Sequence, residues 1–272
     1  MKCVYIYWQL CYAKINTKGV KILKIAVITG ASSGLGKEFF LQLENEYDEV
    51  WMIARREEKM KAISELRPEI KAKIVKLDLL KKEAFHLFDE LLTQNDADIR
   101  LFINNAGYGL LGDFDEMETD GQTGIVRLNN EALVGMTSVA LKHMHDGAQI
   151  INICSIASFV PNTRMAVYSS SKAFVMSFSR ALRGELRHRR INCLAVCPGP
   201  MDTEFLECAG IEEGSSRAFD MLPYCNAKDV AKKALVYSKK GKAVYTPKVF
   251  YKFYRVVAKL LPTGFVMRMA KT

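Results

Sequence analysis

Two rhythms alternate along the chain. The first is a short, nearly unbroken apolar run, repeated over 21–30, 49–54, 72–78, 99–104, 148–154 and 191–197. Runs of this kind predict strands buried on both faces, because a strand wetted on one side would alternate apolar with polar. The second rhythm brings apolar residues back at helical spacing, over 34–47, 57–66, 81–95, 121–144 and 168–189. The 57–66 helix is predicted to stop ahead of Pro68, since proline steers its predecessor out of the helical region. Strand and helix follow one another with no repeat and no low-complexity linker. That order predicts a single α/β domain, a parallel sheet covered by helices on both faces.

After Pro198 the alternation fails. Residues 200–225 mix glycine, charges and isolated bulky apolar side chains, and are read as a substrate loop. A helix over 227–240 and a short strand over 242–247 complete a domain running from 24 to 247. The tail, 248–272, interleaves lysine and arginine with bulky apolar residues and is interrupted by Pro262. Such a pattern suits a segment lying on an apolar surface with its cations outward. The expected surface is the mouth of the protein's own pocket or a partner subunit, in preference to a membrane; peripheral membrane contact is the other reading. Residues 1–23 carry a short apolar patch among lysines, without a clean apolar core or a small-residue cleavage site. They are read as an N-terminal extension rather than a targeting signal.

Composition changes this picture little. A chain of 272 residues, 49% hydrophobic and 25% charged, is ordinary for a globular protein and argues against disorder. No apolar stretch of about 18 residues predicts a membrane span. The net charge of +9 suits an anionic ligand. Its basic residues are scattered, and the densest cluster, 187–190, closes a predicted helix where cations complement the dipole. Nucleic-acid binding is therefore not expected. Seven cysteines form no C-x-x-C pair, and the four histidines complete no ligand cluster. Cys193 and Cys197 share one face of their predicted strand. Reduced thiols, no metal and a cytoplasmic protein are expected.

Candidate chemistry begins where the first strand ends, at "TGASSGLG" (29–36). Gly30, Gly34 and Gly36 permit a sharp turn and close approach of a ligand. The following helix starts with free N–H groups and a positive dipole end, which makes a diphosphate the natural guest. The second strand ends at Ala54, followed by Arg55 and Arg56. A carboxylate that would bind ribose hydroxyls is absent there. Arg55 is expected to reach a 2′-phosphate, with Arg56 a weaker or solvent-facing neighbour, and the cofactor read from this end is NADP(H).

Five segments stand in order: "TGASSGLG", "NNAG" (104–107), "SIAS" (155–158), "YSSSK" (168–172) and "PGPMDT" (198–203). Together they resemble the short-chain dehydrogenase/reductase family of single-domain type, over roughly residues 24–245. The resemblance implies a Rossmann-like doubly wound parallel sheet and hydride transfer. Tyr168 and Lys172, four apart, lie on one helix face. Tyr168 is the implied proton donor or acceptor. A phenol with a pKa of about 10 needs help from cations, the expected part of Lys172 together with the positive nicotinamide of an oxidised cofactor. Ser155 ends the fifth strand, where its hydroxyl is placed to polarise a carbonyl. The family's asparagine matches Asn129, with Asn130 the runner-up; its implied role is to hold a water linking Lys172 to solvent. Implied cofactor contacts are Ser32 and Ser33 to the phosphates, with Leu35 and Leu79 in the same set. Asp78 is assigned to the adenine, and Asn104, Ala106 and Gly107 to the adenosine ribose side. Pro198 and Gly199 are assigned to the nicotinamide pocket and Thr203 to the carboxamide.

The expected activity is interconversion of a ketone and a secondary alcohol on an apolar, hydroxysteroid-like or long-chain substrate. Expected wall residues are Tyr108, Leu110, Leu111, Phe159, Met165, Met201, Phe205, Leu206, Phe219 and Leu222. A 3-oxoacyl-carrier-protein reductase is the alternative, its acidic partner suited by the positive charge. A dinucleotide-binding sensor or scaffold without turnover is the reading from another class. Helices 121–144 and 168–189 carry apolar residues on more than one face, and the resemblance implies pairing through these helices, so a homodimer or homotetramer is expected.

Overall fold

A computed structural model describes residues 22–211, 214 and 221–269. Most of the N-terminal extension, the wall candidate Phe219 and the last three residues lie outside the described set. Seven strands form one sheet: β1 (Leu23–Thr29), β2 (Glu49–Ala54), β3 (Ala72–Lys76), β4 (Ala97–Asn104), β5 (Gln149–Ile153), β6 (Asn192–Val196) and β7 (Val244–Tyr245). The spatial order is β3-β2-β1-β4-β5-β6-β7, and every pairing is parallel. The winding direction reverses beside β1, which pairs with both β2 and β4. Such a reversal opens a crevice at the carboxyl edge of the sheet.

The apolar runs explain the layering. Along β1, Ala26 and Ile28 face one layer while Ile25 and Val27 face the other. On the first side lie α1 (Gly34–Gln42), with Phe39 and Phe40, and a C-terminal helix bearing Ala231 and Ala234. On the second lie α3 (Glu83–Gln94), with Phe88 and Leu92, and the helices that follow β4 and β5. The short α2 (Glu57–Ser64) stops before Pro68, as expected from the sequence.

The predicted 121–144 helix runs unbroken over 119–142 but is not α-helical throughout. It is α4 (Thr119–Val126), a π-helical turn (Arg127–Ala132) and α5 (Leu133–Lys142). A π turn inserts an extra residue without ending the helix, so the apolar spacing conceals it. Next, α6 (Ala166–Glu185) starts two residues before Tyr168. Within the irregular 200–225 stretch one short helix forms, α7 (Glu204–Cys208). Then α8 (Ala227–Lys239) is capped by Asn226, whose Oδ1 accepts the Asp229 N–H at 3.1 Å. The tail is helical on both sides of Pro262, as α9 (Val249–Leu260) and α10 (Thr263–Met269). Tyr251 of α9 is fully buried and donates its hydroxyl to the Pro223 carbonyl at 2.8 Å. Among the described residues, no helix is long and apolar enough to cross a membrane.

Candidate active site

The carboxyl edge of the sheet opens on a cavity of about 880 Å³. Its polar end is built from backbone. Gly30 (φ 66°) and Gly34 (φ 50°) adopt the left-handed conformation that glycine tolerates best. A Cβ on Gly30 would stand 2.9 Å from the Ala106 Cα, and one on Gly36 would collide with the Gly30 carbonyl. Asn105 holds this turn, its Nδ2 donating to the carbonyls of Thr29 (3.0 Å) and Gly30 (3.1 Å). Ser33 caps α1 without a side-chain hydrogen bond, so the first-turn N–H groups keep no side-chain acceptor. Tight glycine backbone and an uncapped helix start fit the diphosphate of a dinucleotide.

Arg56, read as a weaker or solvent-facing neighbour of Arg55, is exposed, and it also braces the turn: its guanidinium donates to Ser32 Oγ (3.1 and 3.2 Å), Ser33 Oγ (2.8 Å) and Glu204 (2.7 Å). Lys59 shares the same carboxylate at 2.7 Å. Lys59 and Arg56 hold Glu204 down to a pKa of about 2. Arg55 lines the cavity; burial raises the Tyr108 phenol above its ordinary range, and the Arg55 charge offsets part of that rise.

Ser155, Tyr168 and Lys172 meet at the middle of the cavity and are all buried. Ser155 follows β5 and accepts the Ala157 N–H at 3.1 Å, which leaves its hydroxyl proton free to donate. Burial pushes the Tyr168 phenol well above its ordinary range, and a hydrogen bond from Ser155 pulls it back. Lys172 Nζ donates to the Ile153 carbonyl at 2.9 Å and stands 5.7 Å from the Tyr168 ring centre. Burial lowers the Lys172 pKa to about 8. The lowering of the phenol is expected from Lys172 together with the positive nicotinamide of an oxidised cofactor; in the protein alone burial dominates.

Of the two asparagines, Asn129 faces this group. It is buried in the π turn, where its Oδ1 accepts the Tyr108 N–H (3.0 Å) and its Nδ2 donates to the Tyr108 carbonyl (2.9 Å) and Ser171 Oγ (3.0 Å). A Cβ on Gly107 would lie 2.7 Å from Asn129 Oδ1 and 3.5 Å from Lys172 Nζ, which brackets the space between them. Asn130 turns to the Ser171 carbonyl at 2.9 Å.

Gly30, Ser32, Ser33, Gly34, Leu35, Arg55, Asp78, Leu79, Ala106, Gly107, Pro198, Gly199 and Thr203 all line the cavity. Gly36 packs behind the turn rather than on the wall. Asn104 does not line the cavity: its Nδ2 donates to Thr137 Oγ1 and Asn152 Oδ1, each at 2.9 Å, inside the core. Asn105 takes the wall position. Neighbours at a strand end point to opposite sides, and the motif alone leaves that parity open.

The apolar end includes Tyr108, Met165, Met201, Phe205, Leu206 and Leu222, as the sequence suggested. Leu110, Leu111 and Phe159 are not on it: Phe159 packs on the Tyr254 ring at 6.1 Å, and Leu111 joins a small core cluster. The sequence reading missed Phe250, Tyr254, Val257 and Val266 as individual wall residues. Helical spacing over 249–260 was the available signal for the first three. It also missed Gly109, where a Cβ would collide with the Tyr168 ring; at Gly199, expected in the nicotinamide pocket, a Cβ would collide with the Tyr251 ring.

Comparison with known proteins agrees with this geometry. A family model described as short chain dehydrogenase matches residues 24–213. The chain is 31% identical over 215 residues to 17-beta-hydroxysteroid dehydrogenase type 3 of Rattus norvegicus, covering 75% of this chain and 69% of that protein. It is 31% identical over 199 residues to the very-long-chain 3-oxoacyl-CoA reductase of Meyerozyma guilliermondii, covering 68% and 58% respectively. A solved short-chain dehydrogenase from Sphingobium yanoikuyae, in complex with NADPH, superposes with a TM-score of 0.73 at 24% identity, over 88% of this chain and 97% of that one. With most of its length matched by the family model and its seven-stranded parallel sheet wound in the same way, the chain belongs to the short-chain dehydrogenase family of oxidoreductases.

Proposed function

We propose that the protein is an NADP(H)-dependent oxidoreductase that interconverts a ketone and a secondary alcohol on a long or polycyclic apolar substrate. One observation carries this reading: Ser155 and Tyr168 line one cavity with both the glycine turn and the apolar residues Met201, Phe205 and Leu206, and the Tyr168 ring lies 5.6 Å from that of Phe205. When bound, the nicotinamide supplies or accepts the hydride. The protein's own groups do the rest. Tyr168 gives the proton to the substrate oxygen in reduction and takes it in oxidation. Ser155, held by the Ala157 N–H, donates to the same oxygen as its charge develops. Lys172 holds the ribose, and Asn129 keeps the proton path from Lys172 ordered. The apolar end excludes water from this centre and grips carbon skeleton rather than charge.

Similarity to a hydroxysteroid dehydrogenase and to a long-chain 3-oxoacyl reductase supports an apolar substrate and leaves two skeletons to compare. The deciding experiment is NADPH consumption across ketosteroids, long-chain ketones and 3-oxoacyl thioesters. Turnover of at least one class is expected, and Tyr168→Phe should lower it by about 10²-fold or more at nearly unchanged cofactor affinity. Dinucleotide binding without turnover on any of these classes would instead make the protein a sensor. Near-normal turnover by Tyr168→Phe would remove that residue from the proton step.

A further inference from the structure

The tail was expected to spend its apolar residues on the protein's own pocket or on a partner subunit. In α9 one face does the first of these. Tyr251 is buried, and Phe250, Tyr254 and Val257 line the cavity. A second apolar face does not. Val249, Phe253, Val256 and Leu260 are 79%, 68%, 54% and 75% exposed. At about 100° per residue these four fall within an arc of about 60°, on the side of the helix away from Tyr251. Leu261 and, on α10, Phe265 extend the exposed apolar surface beyond Pro262.

Charge is arranged around this stripe with the same order. Lys252, Arg255 and Lys259 form a row along one flank of α9, while the cavity-lining residues form the other flank. No Asp or Glu occurs anywhere after Asp229. A contiguous apolar stripe of this kind is costly to leave in water and marks an interaction surface. An antiparallel pairing of two copies through the stripe would set both cationic rows on one side with no carboxylate between them. A lipid surface with anionic headgroups satisfies both features at once: the stripe enters the acyl boundary and the cations meet phosphates.

We propose that α9 and α10 dock the protein, without spanning, on an anionic lipid bilayer through the stripe Val249–Phe253–Val256–Leu260 and its flanking cations. This surface stands independently of the substrate reading above. It places the bilayer next to Phe250 and Val257, at the wall of the apolar cavity.

Flotation of the full chain with vesicles tests it. Vesicles of equal parts phosphatidylglycerol and phosphatidylcholine should carry the protein at low salt. Binding should weaken at high salt and be far weaker on phosphatidylcholine alone. The pair Phe253→Glu and Leu260→Glu, both at exposed positions off the cavity wall, should abolish flotation while leaving the thermal melt unchanged. Lys252→Gln with Lys259→Gln should lower partitioning roughly 25-fold, about fivefold per cation. Three results overturn the proposal. One is absence of flotation on either vesicle. Another is flotation that survives the Glu pair and disappears only on removing residues 1–21. The third is sedimentation showing a dimer that the Glu pair dissociates while lipid binding stays the same, which would assign the stripe to a second copy of the chain.

Discussion

The two ends of the cavity are made of different material. At the glycine turn, position is fixed by directional bonds between backbone and buried side chains. Thr29 Oγ1 donates to the Ile103 carbonyl at 3.3 Å and accepts the Asn105 N–H at 3.0 Å, while Asn105 in turn holds Gly30. At the other end Phe250, Tyr254, Val257 and Val266 close the cavity through contact, with the Tyr251–Pro223 hydrogen bond as an anchor behind them. Hydrogen bonds weaken steeply with misalignment, whereas dispersion contacts lose energy atom by atom. The first end therefore tolerates almost no change of shape. The second can be refitted to another skeleton by altering a few side chains.

The sharpest way to break the rigid end is Gly36→Ala. The added Cβ would run into the Gly30 carbonyl, which is backbone and cannot swing away. Relief requires moving the turn that Asn105 holds. A stability loss of about 1–3 kcal/mol is expected from overpacking alone. Dinucleotide affinity should fall by about 10²-fold or more, because the N–H groups of α1 move off register. Calorimetric titration beside a thermal melt measures both. An alanine variant that binds normally would show that the turn is softer than its hydrogen bonds indicate.

Cofactor choice comes next in size and separates two adjacent arginines. Arg56 is committed to Ser32, Ser33 and Glu204, so it braces the turn. Arg55 carries no such bonds to the turn and is expected to meet a 2′-phosphate. A hydrogen bond to a charged group contributes about 1.5–3 kcal/mol, or roughly 10–200-fold in affinity. Wild type should favour NADPH over NADH by about tenfold or more in kcat/KM. Arg55→Ala should lose most of that ratio, while Arg56→Ala should weaken both cofactors and leave the ratio nearly intact. A ratio that collapses in Arg56→Ala alone would move the phosphate reader to Arg56.

At the boundary between the two ends, Lys172 gives a pH test. Burial lowers its pKa to about 8. As pH rises through about 8 the free protein loses this cation, so dinucleotide affinity should fall, approaching tenfold per pH unit above it. Lys172→Met should bind more weakly below pH 8 and show no such inflection. Stability moves the other way. The unfolded lysine titrates near 10.4, so between about 8 and 10 the unfolded chain holds the extra proton and folding is favoured as pH rises. Affinity falling while the melting temperature climbs over the same interval would distinguish this titration from general alkaline damage.

The same contrast explains what could be read without coordinates. The strands and the glycine turn were legible because backbone geometry dictates their residue types. Motif spacing favoured Asn129 and left Asn130 as the runner-up, and the π turn that aims Asn129 was hidden, since Arg127–Ala132 preserves the apolar rhythm of a plain helix. Asn104 and Asn105 exchanged places because a strand end fixes which neighbours alternate and not which of them faces the ligand. The contact of Tyr251 with Gly199 joins residues far apart in the chain, and no local pattern announces it. The bonds of Arg56 were hidden for a similar reason: its partner Glu204 lies on α7, beyond the reach of any short motif.

The smallest expected effect lies at the apolar end. Val257 is partly buried on α9 and lines the cavity beside Phe250 and Tyr254. Val257→Ala removes two carbons from this wall and touches none of the bonds that place Ser155 or Tyr168. At about 0.8 kcal/mol per buried CH2, the loss in apparent affinity is roughly fourfold if one carbon touches the substrate and roughly fifteenfold if both do. Because the chemistry is untouched, KM should rise while kcat stays within about twofold. A short ketone that leaves this end of the cavity unfilled should show no change at all. Comparing a short and a long ketone on wild type and variant therefore reads the contribution of α9 alone. An equal penalty on both substrates would mean that the tail acts by holding the whole site rather than by touching the substrate. The two ends of the cavity would then be mechanically coupled rather than separately tunable.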